Sequence, residues 1–362
     1  MSEKKLDWWK GKKVLVTGHT GFKGSWLCEI LHLAGAEVCG YALAPEEEND
    51  LFDLLGLDRK IKSVIGDVRD FDRLRQTMMD FQPEVILHLA AQPIVRTSYV
   101  IPRETFETNV MGTVNLMESI RLICQKAKAE GKESCVRSVV NITTDKVYLN
   151  REIKAGYKEE DPLNGYDPYS NSKSCSDLAT QSYQKSFFQE EGPAISTARA
   201  GNVIGGGDFA KDRIIPDCVR AAAKGEQIVV RNPASVRPFQ HVLEPLFAYL
   251  LLAQRQYEDR TLAGAYNIGP DPSDIVTVEK ITGLFVTYWG GGASWKHVGD
   301  NGPHEASLLM LDNAKIHDKL GWTTTWDIDE AVKRTVEWSK VWAENGDVIA
   351  ITDKQICEFF QG

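Results

Sequence analysis

Lys12-Lys13-Val14-Leu15-Val16-Thr17 is a short run with β-branched residues that stops at Gly18. The glycines of Gly18-His19-Thr20-Gly21-Phe22-Lys23-Gly24 then follow at three-residue spacing, and from Ser25 the pattern turns helical. Trp26, Leu27, Ile30, Leu31 and Ala34 recur three and four residues apart, and Gly35 closes the segment. A strand, a Gly-rich turn and a helix in that order constrain the chain more than any other feature. Glycines there let the backbone turn tightly and approach a pyrophosphate, which would rest on the helix's free N–H groups and positive dipole end. The same string alone could merely link strand to helix; at the first βα turn of a parallel sheet it predicts a dinucleotide site.

The rest of the first half continues the alternation. Glu37–Leu43, Lys62–Gly66, Glu84–Leu89 and Val136–Ile142 read as strands, with helical stretches at Asp70–Phe81 and Val110–Lys126. Strands alternating with helices predict βαβ units and a parallel sheet covered on both faces. Beyond about residue 190 the alternation is less regular, with Gly- and Pro-interrupted segments at 201–207 and 232–238 and one further strand at 265–269. With no low-complexity linker and no solenoid repeat, a second lobe is expected to be woven into the first. The expected fold is α/β, a Rossmann-type doubly wound parallel sheet with a smaller interleaved α/β substrate-binding lobe. Residues 1–190 and about 238–270 are expected to form the dinucleotide-binding domain, and about 191–237 and 271–362 the lobe.

Composition narrows the partners. The 362 residues carry 42 Lys and Arg against 51 Asp and Glu, a formal charge of −9, which argues against nucleic acid but not against an anionic small molecule. The polar N-terminal stretch is unlike a signal peptide, and no apolar run nears the roughly 20 residues that span a bilayer, so no membrane partner is expected. Seven scattered cysteines without a CxxC pair fit a reducing, cytoplasmic compartment. The seven histidines show no HxxxH or HExxH spacing, so no metal site is expected.

An acid closing the second strand would hydrogen-bond an adenosine ribose. Here that strand runs Gly40-Tyr41-Ala42-Leu43-Ala44-Pro45, with neither acid nor arginine, and Glu46, Glu47 and Glu48 follow. Those three acids disfavour an extra phosphate and tip the expectation to NAD. Tyr169-Ser170-Asn171-Ser172-Lys173 is a YxxxK element leading a helix, with Tyr169 and Lys173 on one face. A phenol with pKa about 10 is a poor base at neutral pH, and a neighbouring ammonium would stabilise its phenolate. Upstream, Ile142-Thr143-Thr144-Asp145-Lys146 ends a strand, where parallel sheets present chemistry, and Thr144 is placed to share a substrate hydroxyl with Tyr169.

These elements resemble the extended short-chain dehydrogenase/reductases: GxxGxxG at 18–24, Gly66-Asp67-Val68, His88-Leu89-Ala90-Ala91, Asn109, Thr144 and YxxxK at 169–173. Within that superfamily the chain resembles the CDP-glucose 4,6-dehydratase family almost end to end. The resemblance is carried by Gly18–Leu27, Thr144-Asp145-Lys146, Gly165–Ser170, Ala198–Asp208, Arg213–Asp217, Arg237–Pro245 and Pro303-His304-Glu305-Ala306. Phe239 departs from the family's usual Trp. The resemblance implies NAD held by Gly18, Thr20, Gly21, Phe22, Lys23, Gly24, Asp67, Val68, Leu89, Ala90, Ala91, Asn109, Tyr169 and Lys173. It implies CDP-glucose as substrate, with Asn202, Arg213, Arg237 and His304 binding it, and a homodimer or homotetramer.

The implied reaction is redox-neutral. Tyr169 takes the 4-hydroxyl proton while hydride leaves C4, water is lost across C5 and C6, and hydride returns to C6. The product is a 4-keto-6-deoxy sugar nucleotide, on the way to deoxysugars of surface polysaccharide. Thr144, Asp145, Lys146, Tyr169 and Lys173 form the expected catalytic set. Asp145 is the expected acid for the departing 6-hydroxyl, and Lys146 is either the C5 base or a support for the enolate. Arg199 joins Arg213 and Arg237 as a candidate for the substrate pyrophosphate; each alone reads equally as a structural ion-pair partner, and Arg213 and Arg237 gain weight from their motifs, while His241 and the tryptophans of the C-terminal third read as packing. Two alternatives stay open: a 4,6-dehydratase of another nucleotide-glucose, and a nucleotide-sugar 4-epimerase on the same scaffold.

Overall fold

The structure, a computed structural model, describes residues 6–45, 50–153, 155–299 and 309–361. Seven parallel strands form its centre: β1 (Lys13–Thr17), β2 (Glu37–Ala42), β3 (Lys62–Ile65), β4 (Val85–His88), β5 (Ser138–Ile142), β6 (Ala194–Ala200) and β7 (Ala265–Ile268). Their order across the sheet is β7-β6-β5-β4-β1-β2-β3. Successive residues of a strand point to opposite faces, and both faces here are covered. Val14 and Val16 enter one core while Leu15 enters the other, and Val85 and Leu87 are divided from Ile86 in the same way. That is why these strands read as continuous apolar runs rather than as alternating ones.

Helices α1 (Phe22–Leu33) and α5 (Leu243–Glu258) pack on one face; α2 (Phe71–Phe81) and α3 (Gly112–Ala129) pack on the other, with α4 (Pro168–Phe187) beside α3. The strand order reverses between β1 and β4, so the loops leaving their carboxyl ends diverge and open a crevice. Thr17 pairs with His88 at that point, and Leu89 N–H donates to the Thr17 carbonyl at 3.1 Å.

The smaller lobe has its own core, in which Ile215, Val219, Phe239, Ile281, Phe285 and Val332 come together. Helices 214–223, 278–289 and 328–343 enclose it, and short strand pairs join 228–230 to 295–297 and 236–237 to 276–277. Two parts of the expected boundaries are corrected. Ala194–Ala200 lies inside the large sheet, paired with both β5 and β7, although it falls beyond residue 190. The C-terminal helix Val348–Gln361 packs on the sheet core as well as on the lobe helix 328–343, with Phe359 and Phe360 edge-on to Phe247 of α5 at 6.2 and 5.8 Å and Trp338 Nε1 donating to the Thr352 hydroxyl. Aromatic burial against α5 decides that placement. None of the helices among the described residues is long and apolar enough to cross a membrane.

Candidate active site

The turn after β1 is built from glycines that serve different ends. Gly18 has φ of +77°, and a Cβ there would lie 2.8 Å from the Ala90 nitrogen, so both conformation and space demand glycine. A Cβ on Gly24 would lie 2.0 Å from the Gly18 carbonyl oxygen, so the helix can seat on the turn only without one. Gly21 is different: its Cβ would meet only the Gly18 oxygen, at an ordinary 3.5 Å, and it is exposed toward the cleft. It also stands at the N-cap of α1 with no side-chain cap, leaving the first N–H groups of the helix facing the cleft. Bare backbone donors with nothing above them fit a dinucleotide pyrophosphate. His19, inside the same motif, is structural. Its ring lies against Gly40, Nε2 meets the Ser63 hydroxyl at 2.8 Å, and burial pulls its pKa down to about 4.

Thr20, Phe22 and Lys23 share the cleft wall with Asp67, Val68, Leu89, Ala90 and Ala91. Thr20 donates to the Leu43 carbonyl at 3.0 Å, tying the turn to the end of β2. Leu43, Ala44 and Pro45 continue that wall, with Asp50 beyond them; Glu46, Glu47 and Glu48 lie outside the described residues. Asp67 is already engaged by Arg69, whose Nε and Nη2 reach its carboxylate at 2.9 and 2.6 Å. Arg69 also lines the cleft, a residue that sequence reasoning missed although it directly follows Gly66-Asp67-Val68.

Asn109 is corrected. It does not line the cleft but stands behind it, 1 % exposed, donating to the Ser172 hydroxyl at 2.8 Å and the Gln92 carbonyl at 3.1 Å. Its carboxamide oxygen accepts from Gln92 N–H at 2.8 Å. A buried amide with these bonds pins the loop after β4 to α4 and so sets the cleft's shape.

Tyr169 and Lys173 are presented by α4, whose start is written in the sequence. Asp167 caps it by accepting from Ser170 N–H at 2.9 Å, and Pro168 occupies the first turn. The two side chains sit one turn apart on the cleft wall. Lys173 Nζ donates to the Ile142 carbonyl at 3.0 Å; burial lowers its pKa to about 7, with the Lys23 cation adding to the effect and Asp177 opposing it. Burial pushes the Tyr169 phenol up to about 12, while a hydrogen bond with Thr144 and the charge of Arg213 pull the other way.

Thr144 leaves the end of β5 beside that phenol and donates to Asp145 Oδ1 at 2.9 Å. Lys146 Nζ meets the same oxygen at 3.2 Å and Asn202 Oδ1 at 3.5 Å. Thr144 and Lys146 line the cleft; Asp145 is wholly buried just beneath, its Oδ2 without a hydrogen-bond partner among the described residues and 3.5 Å from where a Cβ on Gly201 would be. The expected catalytic five are thus brought together, four on the wall and Asp145 one layer below it.

At the far end, Asn202, Arg213, Arg237 and Phe239 line the cleft. Arg213 Nη1 is held by Asp208 Oδ2 at 3.0 Å, and Arg237 Nη1 donates to the Val236 carbonyl at 2.9 Å. His304 lies outside the described residues. Of its two expected roles Arg199 takes the structural one: it lies in the core, 1 % exposed, forked onto Asp177 at 2.8 and 3.0 Å and donating to the Tyr148 hydroxyl at 2.8 Å. With four of its five donors spent on Asp177, Tyr148 and the Glu159 carbonyl inside the core, this guanidinium is not turned toward the cleft. His241 is buried between Trp26 and Trp326, as the packing reading expected.

The lining residues surround one cleft of ≈ 1410 Å³, large enough for two extended ligands laid end to end. The chain is 46% identical over 359 residues to CDP-glucose 4,6-dehydratase of Salmonella typhimurium, covering 98% of this chain and 97% of that one. It is 26% identical to a probable dTDP-glucose 4,6-dehydratase of Sinorhizobium fredii, over 92% of this chain and 93% of the other. Its fold is that of the Thermus thermophilus UDP-glucose 4-epimerase, solved in complex with NAD, with a TM-score of 0.76 at 22% identity over 90% and 98% of the two chains. A family model described as GDP-mannose 4,6 dehydratase matches residues 15–271, from β1 to just past β7. With that match running over well more than half of its length, this chain belongs to the GDP-mannose 4,6 dehydratase family.

Proposed function

We propose that this protein is an NAD-dependent hydro-lyase that converts CDP-D-glucose to CDP-4-keto-6-deoxy-D-glucose. One observation carries the reading: Thr144 bridges the Tyr169 phenol to an Asp145–Lys146 ion pair at the mouth of β5, so oxidation and elimination groups address one sugar. The extensive likeness to the Salmonella protein supports CDP-glucose as the nucleotide sugar. NAD in the cradle after β1 would supply reversible hydride acceptance.

The chain's own residues then have separate tasks. Tyr169 takes the proton of the 4-hydroxyl, and Lys173, anchored on the Ile142 carbonyl, holds positive charge behind the resulting phenolate. Thr144 fixes the direction of that hydroxyl. The 4-ketone acidifies C5–H; Asp145 protonates the leaving 6-hydroxyl with a proton passed to it by its Lys146 ammonium partner, whose charge first balances that developing on the ketone oxygen. Asn202, Arg213 and Arg237 are assigned to the sugar and its pyrophosphate, Arg69 and Asp67 to the adenosine side of the cofactor. The smaller lobe, with β6 returned to the sheet, is assigned to the nucleotide sugar.

A cytoplasmic enzyme is consistent with seven cysteines all free. Leu178 and Phe187 on α4 are 50% and 54% exposed, which supports pairing of two copies through that helix.

The test is to offer CDP-, dTDP-, GDP- and UDP-glucose separately in deuterated water. The proposal requires a 4-keto-6-deoxy product from CDP-glucose with solvent deuterium at C5 and no net reduced cofactor. A 4-epimer without dehydration, or accumulating reduced cofactor, would overturn it.

A further inference from the structure

The segment that leads from β6 to helix 214–223 is clamped on both sides of one residue, Asp208. Upstream, a Cβ on Gly206 would lie 2.0 Å from the Trp338 ring of helix 328–343, and the Gly206 carbonyl accepts from Trp26 Nε1 of α1 at 2.9 Å. Gly207 has φ of +80°, and a Cβ there would lie 2.6 Å from the Leu51 side chain. Downstream, Phe209 packs on the Trp342 ring at 5.1 Å, and the Phe209 and Ala210 carbonyls accept from Arg220 at 2.9 and 3.3 Å. Sheet core and lobe thus hold the backbone of Asp208 between them.

Its side chain is equally committed. Oδ1 accepts from Ala210 N–H at 3.2 Å, which fixes the carboxylate plane, and Oδ2 accepts from Arg213 Nη1 at 3.0 Å. The Asp208 side chain is 5% exposed and that of Arg213 36%, so the pair is buried at its root and open at its tip. Asp208 is the one hydrogen-bond and ion-pair partner of Arg213 among the described residues, and Arg213 lines the cleft. Arg213 also opens helix 214–223 without a side-chain cap, so its cation and the helix dipole both favour an anion there. A carboxylate beside that anion repels it. An acid held this firmly where its charge is unfavourable has a geometric use rather than an electrostatic one.

We propose that Asp208 is a positioning residue for the nucleotide sugar: it aims the Arg213 guanidinium at the substrate pyrophosphate before the substrate arrives. This rests on the assignment of Arg213 in the reading above. An unheld arginine samples many rotamers, and ordering it on binding costs affinity; the grip of Asp208 has already ordered it. Asp208 acts through Arg213 alone and touches neither the sugar nor the nucleotide.

The test compares wild type, Asp208→Ala, Asp208→Asn, Arg213→Met and the Asp208→Ala/Arg213→Met double variant, each as the full chain. Calorimetry gives Kd for NAD and for CDP, which carries the pyrophosphate but no sugar to oxidise. Turnover of CDP-glucose by the NAD-loaded enzyme gives KM and kcat, and the melting temperature reports folding. Asp208→Asn keeps an acceptor for Ala210 N–H while turning an amide N–H toward Arg213. Each Asp208 variant should weaken CDP binding and raise KM about three- to tenfold, with kcat within about twofold of wild type. NAD affinity and melting temperature should stay close to wild type. Charge alone predicts the opposite, tighter CDP binding once the acid is gone. In the Arg213→Met background, Asp208→Ala should have no further effect on CDP. Unchanged or tighter CDP binding in both Asp208 variants overturns the proposal. So does an equal loss with and without Arg213, the mark of a direct contact, or NAD affinity falling alongside, the mark of a merely structural role. Wild type that neither binds CDP nor converts CDP-glucose overturns the dehydratase reading and this inference with it.

Discussion

Arg199 offers the sharpest separation of a structural from a ligand-binding role. Its guanidinium and the Asp177 carboxylate are 1% and 0% exposed, with two contacts of 2.8 and 3.0 Å. Asp177 also accepts from Gln181 at 2.8 Å, Thr143 at 3.2 Å and Thr197 at 3.3 Å, so α4, β5 and β6 meet at one carboxylate. At charge centres about 4 Å apart and an effective dielectric of about 20, the attraction is about 4 kcal/mol. Removing one partner strands the other charge inside the protein, a loss of about 3–5 kcal/mol.

Asp177→Leu and Arg199→Met should therefore each cost that much in urea denaturation. The double variant should recover most of it, giving an interaction energy of about 3 kcal/mol. The assay is the complete double-mutant cycle, with the KM for CDP-glucose measured on each folded variant. Additive losses in stability, or an Arg199→Met that folds normally and binds substrate poorly, would refute the argument and return Arg199 to the list of pyrophosphate ligands.

Further outcomes follow from the same geometry. Gly21→Ala should fold with an unchanged melting temperature yet bind NAD at least about tenfold more weakly, because its methyl enters only the space above the helix N–H groups. Gly24→Ala, which drives a methyl onto the Gly18 carbonyl, should lose both cofactor binding and stability. Equal behaviour of the two would contradict this division. Tyr169→Phe should nearly abolish C4 oxidation, whereas Asp145→Asn should slow elimination by about a hundredfold with C4 oxidation still measurable by rapid-mixing absorbance. Loss of both steps to the same extent in Asp145→Asn would remove it as the acid.

Burial holds His19, His88 and His241 neutral, with pKa values lowered to about 4, 3 and 3. Their unfolded counterparts take up protons below about pH 6.5, so the unfolded state binds more protons and stability falls as pH drops from there toward 4. With up to three protons involved, the slope is at most about 4 kcal/mol per pH unit. Melting temperatures across that range check it, and a flat profile would contradict the burial of these rings.

Much of the site was legible because its parts are local. A strand end, a Gly-rich turn and a helix start fix the positions of Gly18, Gly21 and Gly24 within one short segment. Asp167 and Pro168 likewise set the helix that carries Tyr169 and Lys173. What was not legible depends on contacts between segments far apart in the chain. Ala194–Ala200 lacks the bulky β-branched signature of a strand, and it becomes one because β5 and β7 pair with it on both sides. Asn109 and Arg199 carry polar groups that a cofactor or a pyrophosphate would accept equally well; only packing revealed that Ser172, Gln92 and Asp177 had taken them.

By itself, the sequence determined the alternating sheet, the phosphate cradle, the Tyr169–Lys173 pair and the strand-end Thr144. Each is a pattern of period or spacing that the backbone must obey wherever the chain goes. Tertiary structure alone decided which charged groups reach the cleft and which are spent holding it together. It set Asp145 beneath the wall and tethered Lys146 and Lys173. Side-chain chemistry is the same in all these cases, and the difference is the distance to the next charge, which only the folded chain contains.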